Sequence, residues 1–136
     1  MELKKSYKGF IFWLLGYLLA CFGPIPFLPE WAEESVMVRY IMNITNISMA
    51  VLCGIMWKTE AIYWMNGTTY EEAVKAGSER RKAFARKHFD VFFWFALLYV
   101  LFSVLMYLLH VSFWVDFVIG TVGLCAAAIS TMRFKL

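Results

Sequence analysis

Residues 91–109, VFFWFALLYVLFSVLMYLL, contain no charged side chain in nineteen consecutive positions. A helix needs about 20 mostly apolar residues to cross a hydrocarbon core of roughly 30 Å, and this stretch, extended to residues 89–110, meets that length. A soluble helix would set an apolar stripe against a charged face; this one is apolar all round. Strands are a poorer reading, because membrane strands alternate lipid-facing and polar residues.

Outward from it lie three similar windows. Residues 9–28 are uncharged, residues 35–57 carry only Arg39, and residues 112–132 carry only Asp116. Composition agrees with a lipid-dissolved chain: 136 residues are 62% hydrophobic, 19% aromatic and 17% charged, with a net charge of +3. Soluble domains average about 45–50% apolar and about 25% charged residues. Disordered, collagenous and disulfide-stapled classes are excluded on the same grounds, and so weak a positive balance does not point to nucleic acid. The expected fold is an all-α integral membrane domain over residues 1–136, an antiparallel four-helix bundle with spans at 9–28, 35–57, 89–110 and 112–132.

Short loops rich in Lys and Arg stay cytoplasmic. Lys4, Lys5 and Lys8 precede span one, Lys58, Lys75, Arg80, Arg81, Lys82, Arg86 and Lys87 lie in residues 58–88, and Arg133 and Lys135 follow span four. Four crossings put these twelve of the thirteen basic residues on one side and leave Arg39 beside Glu30, Glu33 and Glu34 on the other. Both termini and the 58–88 segment are therefore expected at the cytoplasmic face of the cell membrane. Leu18-Leu19-Ala20-Cys21 resembles a lipoprotein cleavage site after a basic leader, but Leu19 fits it poorly, and an uncleaved first helix is expected.

The 58–88 segment reads as a helical hairpin. Span two is expected to run on through Ile62-Tyr63-Trp64-Met65 and stop at Asn66-Gly67. Thr69 and Glu72 have capping-box spacing, Gly77 ends that short helix, and Ser78-Glu79 opens one that continues unbroken into span three. Arg80, Arg81, Lys82, Arg86 and Lys87 then form a collar for anionic lipid or an acidic partner, or simply a topology anchor. At the other end, Pro24, Pro26 and Pro29 break the chain after span one, with Phe27, Leu28 and Trp31 at the interface, and a few residues around His110–Ser112 join spans three and four.

Residues at i, i+4 and i+7 share a helix face. That rule aligns Arg39, Asn43, Asn46, Ala50 and Gly54 in span two, and Asp116, Gly120, Gly123, Ala127 and Thr131 in span four. Gly16 and Ala20 lie on a comparable face of span one. Small residues let membrane helices approach closely, and polar ones bond across the contact. An unpaired charge within the bilayer costs at least about 2.5–3.5 kcal/mol, so Arg39 and Asp116 are expected to face each other, with Asn43 and Asn46 against Gly120 and Gly123. The stripe has two uses, as glue between helices or as the lining of a polar path.

Chemistry has little purchase. His88 and Asp90 are spaced to diverge on a helix, and Asp90 is placed to pair with Arg86. Cys21, Cys53 and Cys125 show no metal-site spacing, and the Asn-x-Ser/Thr triplets fall inside spans or on the inward loop. No phosphate loop or hydrolase motif occurs. No cofactor or metal is expected, and catalysis is the class with least support. The function expected is that of an accessory, regulatory or immunity-type membrane subunit contacting lipid, another membrane protein or its own copies; the alternative is a small oligomeric transporter or channel.

Overall fold

In a computed structural model, which describes residues 2–30, 33–65 and 67–136, the chain is all-helical, with 79% of residues in helix and no strand among those described. Five helices follow one another: α1 (Lys8–Phe22), α2 (Glu34–Thr59), α3 (Tyr70–Ala76), α4 (Ser78–Leu108) and α5 (Phe113–Thr131). Four segments, 8–27, 34–59, 78–108 and 113–131, are long and apolar enough to cross a membrane. The first reaches that length only with help. Fifteen residues rise about 22 Å as α-helix, and the 3₁₀ turn Ile25–Phe27, started by Pro24 and containing Pro26, extends the run to 20 residues.

Packing is uneven. Helices α2, α4 and α5 pack on one another, whereas α1 lies mainly against α2. Only 6% of α1's apolar window is buried, against 33% for α2. The expected four-helix bundle is thus a three-helix core with one helix laid on its side. The reason is visible along α4, where Arg81, Ala85, His88, Phe92, Ala96, Tyr99 and Ser103 are all buried. Their spacing of three and four residues makes a single stripe, and α2 and α5 occupy the groove beside it. Ala50, Cys53, Phe92, Ala96 and Ala127 form the centre of this core.

The small residues of the stripes do different jobs. At Gly120 a Cβ would sit 2.6 Å from Met42 and 2.9 Å from the Tyr99 ring, and at Gly123 it would sit 2.6 Å from the Phe95 ring. The glycines of α5 therefore receive α4 aromatics, not Asn43 and Asn46 as expected. Gly54 has Phe89 at ordinary contact distance, 3.5 Å. A Cβ at Gly16 would meet nothing within 4 Å, so within this chain it is not the close-packing residue the sequence suggested. Helix α1 is instead held by aromatic polar tips: Trp13 Nε1–H donates to Ser48 O at 2.7 Å, Tyr17 Oη pairs with Thr45 Oγ1 at 2.9 Å, and Tyr40 Oη–H donates to the Ala20 carbonyl at 2.6 Å. Of the cysteines, Cys21 and Cys53 are buried, while Cys125 lies exposed on α5 and does not pack inside.

One end of the molecule gathers both chain ends. Leu3 joins Met56, Ile62, Tyr63, Ala73 and Phe84 in a cluster that Phe134 and Leu136 cover. Aromatic side chains staple the leading segment down: Tyr63 Oη accepts from Ser6 N–H at 2.8 Å, Trp64 Nε1–H donates to Ser6 O at 3.0 Å, and Tyr70 Oη–H donates to Leu3 O at 2.7 Å. The Thr69–Glu72 capping box and the Gly77 break stand where the sequence puts them, with Gly77 at φ 79°. Helix α2, however, stops at Thr59 rather than continuing to residue 65, and residues 62–64 form a 3₁₀ turn. Trp31 and Asn66, to which the sequence reading gave interfacial and helix-ending roles, lie outside the described residues.

These glycine contacts separate two kinds of site. Gly123→Ala and Gly120→Ala should each lower stability by about 1–3 kcal/mol through overpacking, whereas Gly16→Ala should be neutral or stabilise by up to about 1 kcal/mol. Reversible denaturation in detergent micelles reads both, and equal effects at the three positions would contradict the packing described.

Candidate functional site

The polar residues of α2 and α5 converge on α4 near the α4–α5 connection. Asp116, in the first turn of α5, is fully buried, and its Oδ2 lies 3.6 Å from Arg39 Nε. The same oxygen accepts from Ser103 Oγ–H at 2.8 Å. Asn43 Nδ2 donates to Ser103 Oγ at 3.0 Å and to the Arg39 carbonyl at 2.8 Å. Tyr99 Oη–H donates to the Asp116 backbone carbonyl at 3.0 Å. This last contact explains Gly120: a side chain there would strike the Tyr99 hydroxyl.

Arg39 does not reach up to Glu33 or Glu34. Its guanidinium donates to the Val111 carbonyl in the connection between α4 and α5 and lies 5.8 Å from the centre of the Tyr107 ring. That carbonyl follows His110, which sits at φ 56°. The arginine thus ties the α4–α5 turn to α2 as well as facing the carboxylate.

Asn46 is fully buried, with Nδ2 donating to Met42 O at 2.8 Å. Four buried polar atoms in this region, Arg39 Nε, Asn43 Oδ1, Asn46 Oδ1 and Asp116 Oδ1, have no hydrogen-bond partner among the described residues. A buried unpaired polar atom costs about 1–3 kcal/mol, so these four mark the place where water or a polar ligand would gain most.

At the opposite end of α2 lies a second cluster that the sequence reading passed over. Glu60 occupies a left-handed conformation, φ 60°, immediately after α2, and is 2% exposed. Its carboxylate accepts from Ser78 Oγ–H at 2.7 Å and Arg81 Nε–H at 2.9 Å, with Arg81 Nη2 at 2.7 Å and Lys82 Nζ at 3.6 Å. A non-glycine residue in that region costs on the order of 1–3 kcal/mol, and the buried pair offsets it. Burial alone would raise the Glu60 pKa, but the Ser78 and Arg81 hydrogen bonds and the nearby cations outweigh it and hold the carboxyl below its ordinary range.

This cluster changes the basic collar. Arg81 is 4% exposed and points inward to Glu60 and the Ala73 carbonyl, so it is not a lipid contact. Arg86 pairs with Asp90 at 4.0 Å and lies over the Trp57 ring, and Lys87 lies over Phe134. His88, next to the collar in sequence, is buried, with Nδ1 3.0 Å from Phe84 O and its ring between Phe84 and Phe134. Arg80 remains exposed.

No local spacing links Glu60 to Arg81, twenty-one residues apart, so the sequence gives no direct signal for that pair. Ser103 and Tyr99 did carry one. They are polar residues inside the longest apolar run, spaced i, i+4, and that spacing marks a buried polar face on α4. Among the described residues no three His, Cys, Asp or Glu side chains come together to hold a metal. No protein-family model matches the chain, and comparison with curated proteins and with solved structures gave no match.

Removing one partner of a buried pair leaves an uncompensated charge and costs about 3–5 kcal/mol. Arg39→Ala and Glu60→Ala should each destabilise by about that amount, and Asp116→Asn by less. The depressed Glu60 pKa adds a pH signature. Its stabilisation is fully present above the unfolded carboxylate pKa of about 4.3 and is lost as pH falls through the lower folded value. Denaturation midpoints of the wild type and Glu60→Gln, followed from pH 7 to pH 3, should converge; parallel curves would show that Glu60 carries no such linkage.

Proposed function

We propose that this chain is an integral membrane protein, both ends cytoplasmic, that acts without catalysis as an accessory, regulatory or immunity-type subunit through contacts of its helices with lipid and with other membrane helices. Four long apolar helices support the membrane setting. The orientation draws on the twelve basic residues in three segments and on the cluster that brings Leu3, Phe134 and Leu136 onto the 60–85 region. In most membrane proteins such basic segments stay inside.

The observation that carries the reading is the contrast between a sealed polar cluster and an open α1. Asp116 and Asn46 have no exposed surface. Helix α1, by contrast, leaves an apolar hollow of about 480 Å³ against α2, lined by Gly9, Trp13, Gly16, Tyr17, Ala20 and Ile47, among others. Small residues facing such a hollow permit close approach of a further helix, from a partner membrane protein or a second copy.

A second reading, a small oligomeric transporter or channel lined by Arg39, Asn43, Asn46 and Asp116, draws on the four polar atoms that lack a hydrogen-bond partner among the described residues, each of which water would satisfy. The two readings part at the level of solvent access. With Cys21, Cys53 and Cys125 replaced by Ala, single cysteines Asn43→Cys and Asn46→Cys should resist a membrane-impermeant maleimide, while Gly16→Cys should cross-link to a neighbouring helix in native membranes. Labelling at both interior positions would overturn the accessory reading in favour of transport, and absence of any Gly16 cross-link would remove the docking surface.

A further inference from the structure

We propose that the end of the molecule carrying both chain ends binds an anionic phospholipid, with its head group on Lys75, Arg80 and Lys135 and an acyl chain in the slot between α2, α4 and α5. The proposal rests on the membrane-spanning reading above and adds a specific ligand to it.

Two hollows adjoin there. The outer, of about 510 Å³, is lined by Lys75, Arg80 and Lys135 together with Glu72. The inner, of about 350 Å³, has Met49, Phe92, Ala128 and Ile129 among its walls. Gly67, Thr68, Met132 and Phe134 border both, so a basic mouth opens onto an apolar slot.

Among the described residues the charges of the mouth are free of ion pairs, unlike three of the collar's five cations. Arg81 and Lys82 face Glu60, and Arg86 faces Asp90. Lys75, Arg80 and Lys135 form no ion pair among the described residues. The acidic side chain in the mouth, Glu72, is partly engaged, because its Oε2 accepts from Thr69 N–H at 2.8 Å in the cap of α3. Three unpaired cations around one hollow recognise a phosphate-bearing head group. The adjoining apolar slot selects an amphiphile over a free phosphate, which would fill the mouth alone, and over an acidic peptide, which brings no chain for Met49, Phe92 and Ile129. An anionic inner leaflet would supply such a lipid at a cytoplasmic face.

Each basic side chain near an anionic lipid surface is worth about fivefold in affinity. The three together predict a preference on the order of a hundredfold for phosphatidylglycerol over phosphatidylcholine. The full chain, purified in a neutral detergent, would be titrated with each lipid and with inorganic phosphate while its Tm is followed, since a ligand bound only by the folded state raises Tm. The expected result is a rise with phosphatidylglycerol at far lower concentration than with phosphatidylcholine, and none with phosphate alone. The Lys75→Ala/Arg80→Ala/Lys135→Ala variant should keep its lipid-free Tm and lose the preference. Ala128→Trp, which fills the slot, should weaken both lipids. Equal response to the two lipids, a rise with phosphate alone, or a preference that survives the triple variant would each overturn the proposal. A chain that needs detergent yet shows no preference loses only this site; one that stays in solution without detergent loses the membrane reading as well.

Discussion

A carboxylate with no exposed surface, set in the first turn of an apolar helix, constrains everything around it. Asp116 needs a counter-charge and donors on hand, because an uncompensated buried charge is expensive. Arg39 comes from α2, and Ser103 and Tyr99 come from α4. One acidic residue therefore fixes the register of three helices, and the asparagines, the Val111 carbonyl and the glycines of α5 take their positions from it. Interhelical polar contacts in membranes are individually modest, averaging about 0.6 kcal/mol. Their effect here lies in specifying one arrangement among many that apolar surfaces alone would tolerate.

Glu60 plays the matching part at the other end of α2. Twenty-one residues separate it from Arg39, or about 30 Å along a helix, comparable with the hydrocarbon thickness. Between the two polar junctions lies the apolar cluster of Ala50, Cys53, Phe92, Ala96 and Ala127. Arg81, held by Glu60 and the Ala73 carbonyl, anchors α3 and the start of α4 together, so the basic end is a built platform and not a loose loop. Free cations are left where the platform meets the chain's end.

Much of this was legible in the amino-acid order. Runs of twenty apolar residues announce the four long helices, and the three- and four-residue spacing from Arg39 and Asp116 places both on interior faces. The Thr69–Glu72 box and Gly77 punctuate the inner segment because their signals are local. What local spacing does not record is non-local. The Glu60–Arg81 pair depends on how two helix ends meet, which no periodicity records, and it turns a collar residue inward. Gly16 looked like a packing residue because small residues often are, yet contact between α1 and α2 is made by Trp13, Tyr17 and Tyr40. The aromatics that fill the α5 glycines come from an α4 face whose periodicity is hidden by apolar residues on every side.

On the proposed reading the chain lies in lipid with its cationic segments on a single face. Single cysteines at Lys5, Arg80, Lys135 and Glu30, introduced into a cysteine-free chain, report it directly when intact cells or sealed inverted vesicles are labelled with an impermeant reagent. The first three should react only in inverted vesicles and the fourth only from outside. Reaction of Arg80→Cys on the opposite side from Lys5→Cys, or recovery of the protein in the supernatant without detergent, would contradict the account.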